Sequence, residues 1–132
     1  MRRILIADDN AVSRELLRHI LKGACDEIIE ASEGREALQK AVEARPDLVL
    51  LDLEMPRLDG YAVLRRLRQD PCLAATRVVA VTARAMQGDR EQALAAGFDG
   101  YVTKPINAVE VRRCVARLTG NCNGAASGVE TL

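Results

Sequence analysis

The chain has 132 residues, a usual length for one domain with one core. It carries 19 Lys and Arg residues against 19 Asp and Glu residues, so its net charge is zero and bulk charge predicts no nucleic-acid partner. The N-terminal apolar run, ILIA, is too short for a signal peptide or a membrane span. We therefore expect a cytoplasmic protein with no membrane contact.

The first half of the chain alternates short apolar runs with helical patterns. RILIA (3–7) is followed by apolar residues at a spacing of four, and EIIEA (27–31) and DLVLL (47–51) are each followed by a similar pattern. The predicted helical stripes contain Val12, Leu16 and Ile20 beside Leu17 and Leu21, then Leu38 and Val42, then Leu64 and Leu67.

The second half continues the same alternation. RVVAV (77–81) precedes QGDREQALAAG, which ends at Gly97, a residue that commonly terminates helices. GYVT (100–103) precedes a closing helix with one apolar stripe, formed by Ala108, Val111, Val115 and Leu118. The segment 120–132 is rich in Gly, Ser and Asn, so we expect a domain over 1–119 and a flexible tail.

Uninterrupted Leu, Ile and Val runs are typical of strands that are buried on both faces. Five strand–helix repeats predict an α/β fold in which a parallel sheet lies between two layers of helices. The flavodoxin-like strand order 2-1-3-4-5 fits five strands. In that fold the functional crevice lies beyond the carboxyl ends of the strands, so the residues that end each run are the candidates for function.

Polar residues stand at four of these strand ends. Asp8 and Asp9 follow the first run, Asp52 follows the third, Thr82 follows the fourth, and Lys104 follows the fifth. Three carboxylates in one crevice repel one another and require positive charge. Lys104 supplies one charge, and Mg²⁺, which prefers oxygen ligands, would supply the rest.

Asp52 is the candidate nucleophile, because its carboxylate is held at the end of a rigid strand. The turn after it, marked by Pro56 and Gly60, would direct the backbone carbonyl of Glu54 toward the metal. A carboxylate beside Mg²⁺ can attack phosphorus and form an aspartyl-phosphate. The metal, Lys104 and the Thr82 hydroxyl would then stabilise the phosphoryl oxygens.

At this point the chain resembles the receiver domains of two-component response regulators. The resemblance covers residues 2–119 and is carried by ADDN (7–10), LLDLEMPRLDG (50–60), VTA (81–83) and TKP (103–105). It implies a signalling receiver, not an enzyme with outside substrates, that accepts phosphate on Asp52 from the phosphohistidine of a sensor histidine kinase or a histidine phosphotransfer protein.

The resemblance also implies roles for the other residues of the crevice. Asp9, Asp52 and the Glu54 carbonyl would bind Mg²⁺ directly, Asp8 would act mainly through water, and Mn²⁺ would be a possible substitute. The bond between Lys104 and Pro105 would be cis.

A two-state switch is the next implication of the resemblance. Thr82 would move toward the phosphoryl group, and Tyr101 would turn inward behind it. The surface that changes would be the fourth helix, the fifth strand and the fifth helix, over roughly 86–119, and a downstream protein partner would bind there.

Two further side chains are expected to overhang the phosphate site. Glu54 stands two residues after Asp52, and Arg84 stands two residues after Thr82. The first hypothesis is that they pair, or that Glu54 screens the site from water and prolongs the phosphorylated state. The alternative is that both point to solvent, where such a pair contributes little.

Several interpretations of the whole chain remain open. The first is a stand-alone response regulator, monomeric or weakly dimeric, which Met1 directly before the first strand favours. The second is the receiver module of a hybrid sensor kinase. A phosphatase would need a general acid, for which only Glu54 is available, and a flavin-binding protein would need a phosphate-binding loop where Asp8 and Asp9 stand. The first helix is the expected dock for the phosphodonor, through exposed residues such as Ala11 and Glu15.

Overall fold

The structure is a computed structural model that describes residues 2–55, 58–83 and 87–119. Within these ranges five strands alternate with five helices, as the repeating apolar runs predict. The elements are β1 (Arg3–Ala7), α1 (Ala11–Leu21), β2 (Glu27–Ala31), α2 (Gly34–Ala44), β3 (Leu48–Asp52), α3 (Gly60–Gln69), β4 (Arg77–Thr82), α4 (Asp89–Ala96), β5 (Gly100–Thr103) and α5 (Ala108–Thr119).

The five strands form one parallel sheet in the order β2-β1-β3-β4-β5. The predicted flavodoxin-like fold is therefore confirmed. The strand register places Asp52 beside Val81 and Thr82 beside Thr103. Because β3 includes Asp52 and β4 includes Thr82, both of these residues are held by the sheet rather than by the loops that follow.

Strands β1, β3 and β4 are buried on both faces, as their uninterrupted apolar runs predict, whereas β2 at the side of the sheet is mostly only partly buried. Alternate residues of β1 and β3 face two separate core layers: Leu5 and Val49 belong to one layer, and Ile6 and Leu50 belong to the other. All four are at most 2% exposed. One apolar layer on each side of the sheet holds the strands in place, and hence the side chains at their ends.

The apolar stripe predicted for α1 lies only partly in the core. Leu17 and Ile20 are buried, but Val12 is 73% exposed and Leu16 is 42% exposed. Core packing therefore does not account for Val12 and Leu16, and α1 presents apolar surface to solvent.

The core-facing residues of α2 also differ from those predicted. Val42 is 53% exposed and Leu38 is partly buried, whereas Ala37 and Ala41 are at most 1% exposed. Small side chains on this face let the helix lie close to the sheet.

The remaining elements follow the sequence pattern closely. Leu64 and Leu67 are buried in α3, the stripe of α5 packs on its core layer, and α4 ends at Gly97, whose φ of 116° is left-handed. The predicted tail over 120–132 and its Cys122 lie outside the described residues. None of the helices in the described ranges combines the length and apolar composition that crossing a bilayer requires.

Candidate functional site

The carboxyl ends of β1 and β3 bring three acidic side chains together. Asp8 and Asp9 directly follow β1, and Asp52 ends β3 in the neighbouring position of the sheet. A carboxylate oxygen from each of the three lies within 4.8 Å of one from the others. Asp8 and Asp52 are buried and Asp9 is exposed, so the cluster is open to solvent on one side.

Asp8 is held by its neighbours on both sides. Its backbone N–H donates to the carbonyl of Ala31 at 3.0 Å, and its Oδ1 accepts from the N–H of Asn10 at 2.9 Å. Asn10 in turn caps the N-terminus of α1, because its side chain accepts from the N–H groups of Val12 and Ser13. The acidic loop is therefore anchored to β2 on one side and to the start of α1 on the other.

Asp52 is 4% exposed, although it is a potentially charged residue. Its Oδ1 accepts from the N–H of Glu54 at 3.0 Å. Burial raises the pKa of Asp52 to about 6, and the charge of Asp8 adds to this, while the Glu54 N–H and Lys104 oppose it. A carboxylate of this kind is ionised at neutral pH but poorly compensated, which favours a cation or an electrophile as its partner.

Lys104 reaches this cluster because its backbone is fixed to β4. Its N–H donates to the carbonyl of Thr82 at 2.8 Å, and the Lys104–Pro105 bond is cis, as predicted. Its Nζ lies 2.9 Å from Asp8 Oδ2 and 3.4 Å from Asp52 Oδ2. Burial opposes the charged form, but the two carboxylates outweigh it, so the pKa of Lys104 lies above its ordinary value.

The donor set fits a hard divalent cation. Three carboxylates and one ammonium leave two negative charges when all are ionised. Every side-chain atom of the three acids that could bind a metal is an oxygen. Asp8 Oδ2 is buried, and its described partner is the ammonium of Lys104 at 2.9 Å. A buried carboxylate oxygen in that state has capacity for a metal-bound water.

The turn after β3 is shaped by Gly60. The N–H of Gly60 donates to the carbonyl of Leu53 at 3.1 Å, and Asp59 caps the N-terminus of α3 by accepting from the N–H of Ala62. A Cβ at Gly60 would lie 2.8 Å from the carbonyl oxygen of Asp52, closer than real Cβ contacts. Glycine thus lets the turn close against the end of β3, whereas Pro56 lies outside the described residues.

The other predicted site residues lie in the following places. Thr82 is fully buried at the end of β4, and Tyr101 is 8% exposed in β5, where its side chain belongs to a core layer. Glu54 is exposed, and its N–H is turned to Asp52. The carbonyl of Glu54 as a metal ligand stays a prediction, and Arg84 lies outside the described residues.

One contact at this edge was not predicted. Arg14 on α1 donates from Nη1 to the carbonyl of Asp8 at 2.6 Å and from Nε to Glu30 at 3.2 Å. The apolar periodicity used to predict α1 carries no information about such a polar contact. The available signal is weaker: a cationic side chain one helical turn after Asn10, which caps α1 beside the acidic pair.

Comparison with known proteins gives the same picture as the site. The family model described as the response regulator receiver domain matches residues 4–116. The polar-differentiation response regulator DivK of Brucella anthropi is 38% identical over 104 residues, which are 79% of this chain and 85% of that protein.

Two solved structures are similar along most of their length. The chemotaxis response regulator CheY4 of Vibrio cholerae is 29% identical with a TM-score of 0.82, over 89% of this chain and 98% of that one. The receiver domain of the sensor histidine kinase PA1611 of Pseudomonas aeruginosa, with magnesium in its active site cleft, is 33% identical with a TM-score of 0.81, over 90% and 98%. The chain described here belongs to the response regulator receiver domain family.

Proposed function

We propose that this receiver accepts a phosphoryl group on Asp52 from a phosphohistidine, and that Mg²⁺ assists the transfer. The observation that carries the proposal is the position of Asp52: buried, at the end of a central strand, and beside two other acids and Lys104. The PA1611 receiver, whose solved structure has magnesium in the active site cleft, supports the same cation here.

The transfer exchanges one bond for another. An oxygen of Asp52 forms a bond to phosphorus while the bond between phosphorus and the donor nitrogen breaks, and the bonding electrons leave with the imidazole. Lys104 places its ammonium at the same carboxylate and would neutralise phosphoryl charge. Asp9, Asp52 and the Glu54 carbonyl would hold the cation, Asp8 would act through water, and the chemistry that Mg²⁺ supplies is further neutralisation of that charge.

Labelling with a small phosphodonor tests this proposal. Acetyl phosphate with Mg²⁺ should add one phosphoryl group to the wild type, peptide mapping should place it on Asp52, and EDTA should abolish it. Asp52→Asn should remove the label completely. Asp59→Asn is the matched control, because Asn also caps a helix and residue 59 lies in the following turn. A label that persists in Asp52→Asn would contradict the proposal. Mn²⁺, which takes similar ligands, should replace Mg²⁺ in the same assay.

The phosphodonor is proposed to dock on α1. Val12 and Leu16 expose apolar surface in the two turns after the acidic loop, beside the exposed Ala11 and Glu15. Val12→Ala should slow transfer from a phosphorylated histidine phosphotransfer domain, while labelling by acetyl phosphate stays unchanged. Val42→Ala, an exposed valine on α2, is the control. Equal transfer rates in Val12→Ala and Val42→Ala would show that the phosphodonor does not bind through Val12 on α1.

The switch and its output are proposals of the same kind. Phosphorylation would draw Thr82 toward the phosphoryl group and favour the inward position of Tyr101, which is already buried here. The partner surface would then be α4, β5 and α5. Backbone amide shifts on phosphorylation, measured by NMR, should be concentrated there in the wild type and reduced in Thr82→Ala. Shifts spread evenly over the chain would oppose the proposal.

Glu54 and Arg84 are proposed to set the lifetime of the phosphorylated state. Glu54 is exposed at the rim of the site, and the proposal for Arg84 rests on its place two residues after Thr82. The rate of phosphate loss in Glu54→Ala and Arg84→Ala tests this proposal, and unchanged rates in both variants would contradict it.

The stand-alone form is favoured by the similarity to DivK and CheY4, and the hybrid-kinase form by the similarity to PA1611. A search for a kinase domain on the same natural polypeptide distinguishes the two.

A further inference from the structure

We infer that Arg14, held in place by Glu30, is a positioning residue that orients the backbone between Asp8 and Asp9 for binding the cation. This inference rests on the proposed function, because it concerns the same metal site. Arg14 does not contact a carboxylate of the cluster in the described contacts; it acts through the peptide that joins the two acids.

The contacts of Arg14 divide between two elements. Nη1 donates to the carbonyl of Asp8 at 2.6 Å, and Nε donates to Glu30 Oε1 on β2 at 3.2 Å. The side chain is 19% exposed, so these bonds are made with limited competition from water. A guanidinium suits this role, since its planar, rigid set of donors can bind a carbonyl and a carboxylate at once.

The Asp8 backbone is thereby fixed at both of its polar groups. The N–H donates to Ala31 at 3.0 Å, and the carbonyl accepts from Arg14. The carbonyl of Asp8 belongs to the peptide plane that leads to Asp9, so its orientation fixes the backbone N–H of Asp9 and restricts the directions in which the Asp9 side chain can leave the backbone. Asp9 is exposed, and its carboxylate therefore depends on the backbone rather than on packing for its position.

The charge of Arg14 is offset where it would otherwise oppose a cation. A bare guanidinium beside a metal site repels the metal, but Glu30 lies 3.2 Å from Nε. Glu30 is itself fixed, because its carbonyl accepts from Lys40 Nζ at 2.5 Å and its Oε2 lies 3.1 Å from Arg18. Arg14 and Glu30 together are neutral, and the positive charge that remains lies with Arg18, which shares the same carboxylate and is 59% exposed.

A structural role alone would predict something different. If Arg14 only fastened α1 to β2, its loss would lower the stability of the fold and leave the cation affinity of the folded protein unchanged. Arg18 provides the comparison on the same chain, because it pairs with the same Glu30 carboxylate but makes no described contact with Asp8.

The experiment measures Mg²⁺ affinity by isothermal titration calorimetry on the full chain, at a temperature where every variant is folded. Arg14→Met keeps the aliphatic stem and should weaken Mg²⁺ binding about tenfold, in the range known for groups that support metal ligands. Arg14→Lys should recover part of the affinity, since one ammonium can reach the carbonyl or the carboxylate but not both in the same way. Arg18→Met should stay within about twofold of the wild type.

Thermal melts in EDTA complete the test. Arg14→Met and Arg18→Met are both expected to lower the melting temperature slightly, so only the affinity separates them. Equal Mg²⁺ affinity in Arg14→Met and the wild type would overturn the inference, and so would an equal loss in Arg18→Met. A wild type that bound no Mg²⁺ would overturn the proposed metal site as well. A wild type that binds Mg²⁺ and is labelled on Asp52, with unaffected Arg14 variants, would overturn this inference alone.

Discussion

Buried or partly buried aspartates lie at both ends of the parallel strands. Asp99 lies at the amino ends, called the well-partnered edge below, and Asp52 lies at the carboxyl ends, called the site edge. The two aspartates differ in how fully donors and cations compensate their charge. At the amino end of β5, Asp99 Oδ2 accepts from the N–H of Val78 at 2.8 Å and from Arg68 at 3.0 Å, while Arg77 lies 3.5 Å from Oδ1. At the carboxyl end of β3, Asp52 has one backbone donor and shares Lys104 with Asp8. The first carboxylate contributes stability; the second is under-compensated, as the proposed role of Asp52 toward a cation and a phosphoryl group requires.

The largest expected effect is at the well-partnered edge. Asp99→Asn should lower the free energy of unfolding by about 2–3 kcal/mol, because hydrogen bonds to a charged group are lost and Arg68 keeps an uncompensated charge. Urea unfolding measures this. Labelling of Asp52 by acetyl phosphate should be retained.

Arg77→Met is the control for Asp99→Asn, since Arg77 is 56% exposed and its contact is long. A loss below about 0.5 kcal/mol in Asp99→Asn would show that this network does not stabilise the fold. Loss of labelling would show that the two edges are not independent.

Gly60→Ala is expected to have the next largest effect and tests how tightly the site edge is built. The new Cβ would lie 2.8 Å from the carbonyl of Asp52 and 2.9 Å from Cα of Leu53, both of them backbone atoms that cannot move freely. We expect a loss of about 2 kcal/mol in urea unfolding together with slower labelling of Asp52. Gly23→Ala has open space at its Cβ and is the matched control for crowding, although its φ of 89° adds strain of its own. Normal labelling in Gly60→Ala would mean that the turn does not position Asp52.

The difference between the two edges also shows how far the sequence predicts this protein. Strand runs and the polar residues at their ends predict the fold and the acids of the site, because burial on both faces and the geometry of parallel sheets leave few alternatives. The exposed side of α1 was not predictable in this way, since periodicity shows that Val12 and Leu16 share a face but not whether a neighbour covers it. The contact from Arg14 to Asp8 was missed for a related reason: polar contacts between elements depend on distances that a sequence pattern does not contain.

An Asp-to-Asn substitution at Asp52 should change the free energy of unfolding in the direction opposite to Asp99→Asn. Asp52→Asn should raise the free energy of unfolding in EDTA by about 1–2 kcal/mol at pH 7.5, after allowance for solvent screening. The folded pKa of Asp52 is about 6, above the ordinary 3.8, so the ionised group costs the folded state energy. Asn retains an oxygen for the N–H of Glu54.

The pH dependence of Asp52→Asn follows from that raised pKa. Below pH 3.8 both states of the wild type are protonated and the variant has no advantage; the advantage grows as pH rises to about 6 and is constant above it. Urea unfolding between pH 4 and pH 8 checks this. Saturating Mg²⁺ should reverse the order, because it binds the wild type more tightly. A wild type that is the more stable at pH 7.5 in EDTA would contradict the assignment of Asp52 as under-compensated.

The prediction with the smallest expected effect asks what makes ionised Asp52 destabilising: its small number of partners or its place at the carboxyl ends of the strands. Glu36 lies near Ser32, at the same carboxyl edge as Asp52, but the N–H of Ser32 at 2.7 Å and Lys40 at 3.0 Å lower the pKa of Glu36 to about 2. The contribution of ionised Glu36 to the free energy of unfolding is therefore present above the ordinary pKa of 4.5 and is lost as pH falls through about 2. For Asp52 the ionised form is instead the destabilising one. Glu36→Gln should cost about 0.5 kcal/mol at pH 7 and nothing near pH 2, measured by urea unfolding. A stabilising effect of Glu36→Gln would mean that even a well-partnered carboxylate at this edge is destabilising. The expected loss means that Asp52 is set apart by its few partners and not by its place in the fold.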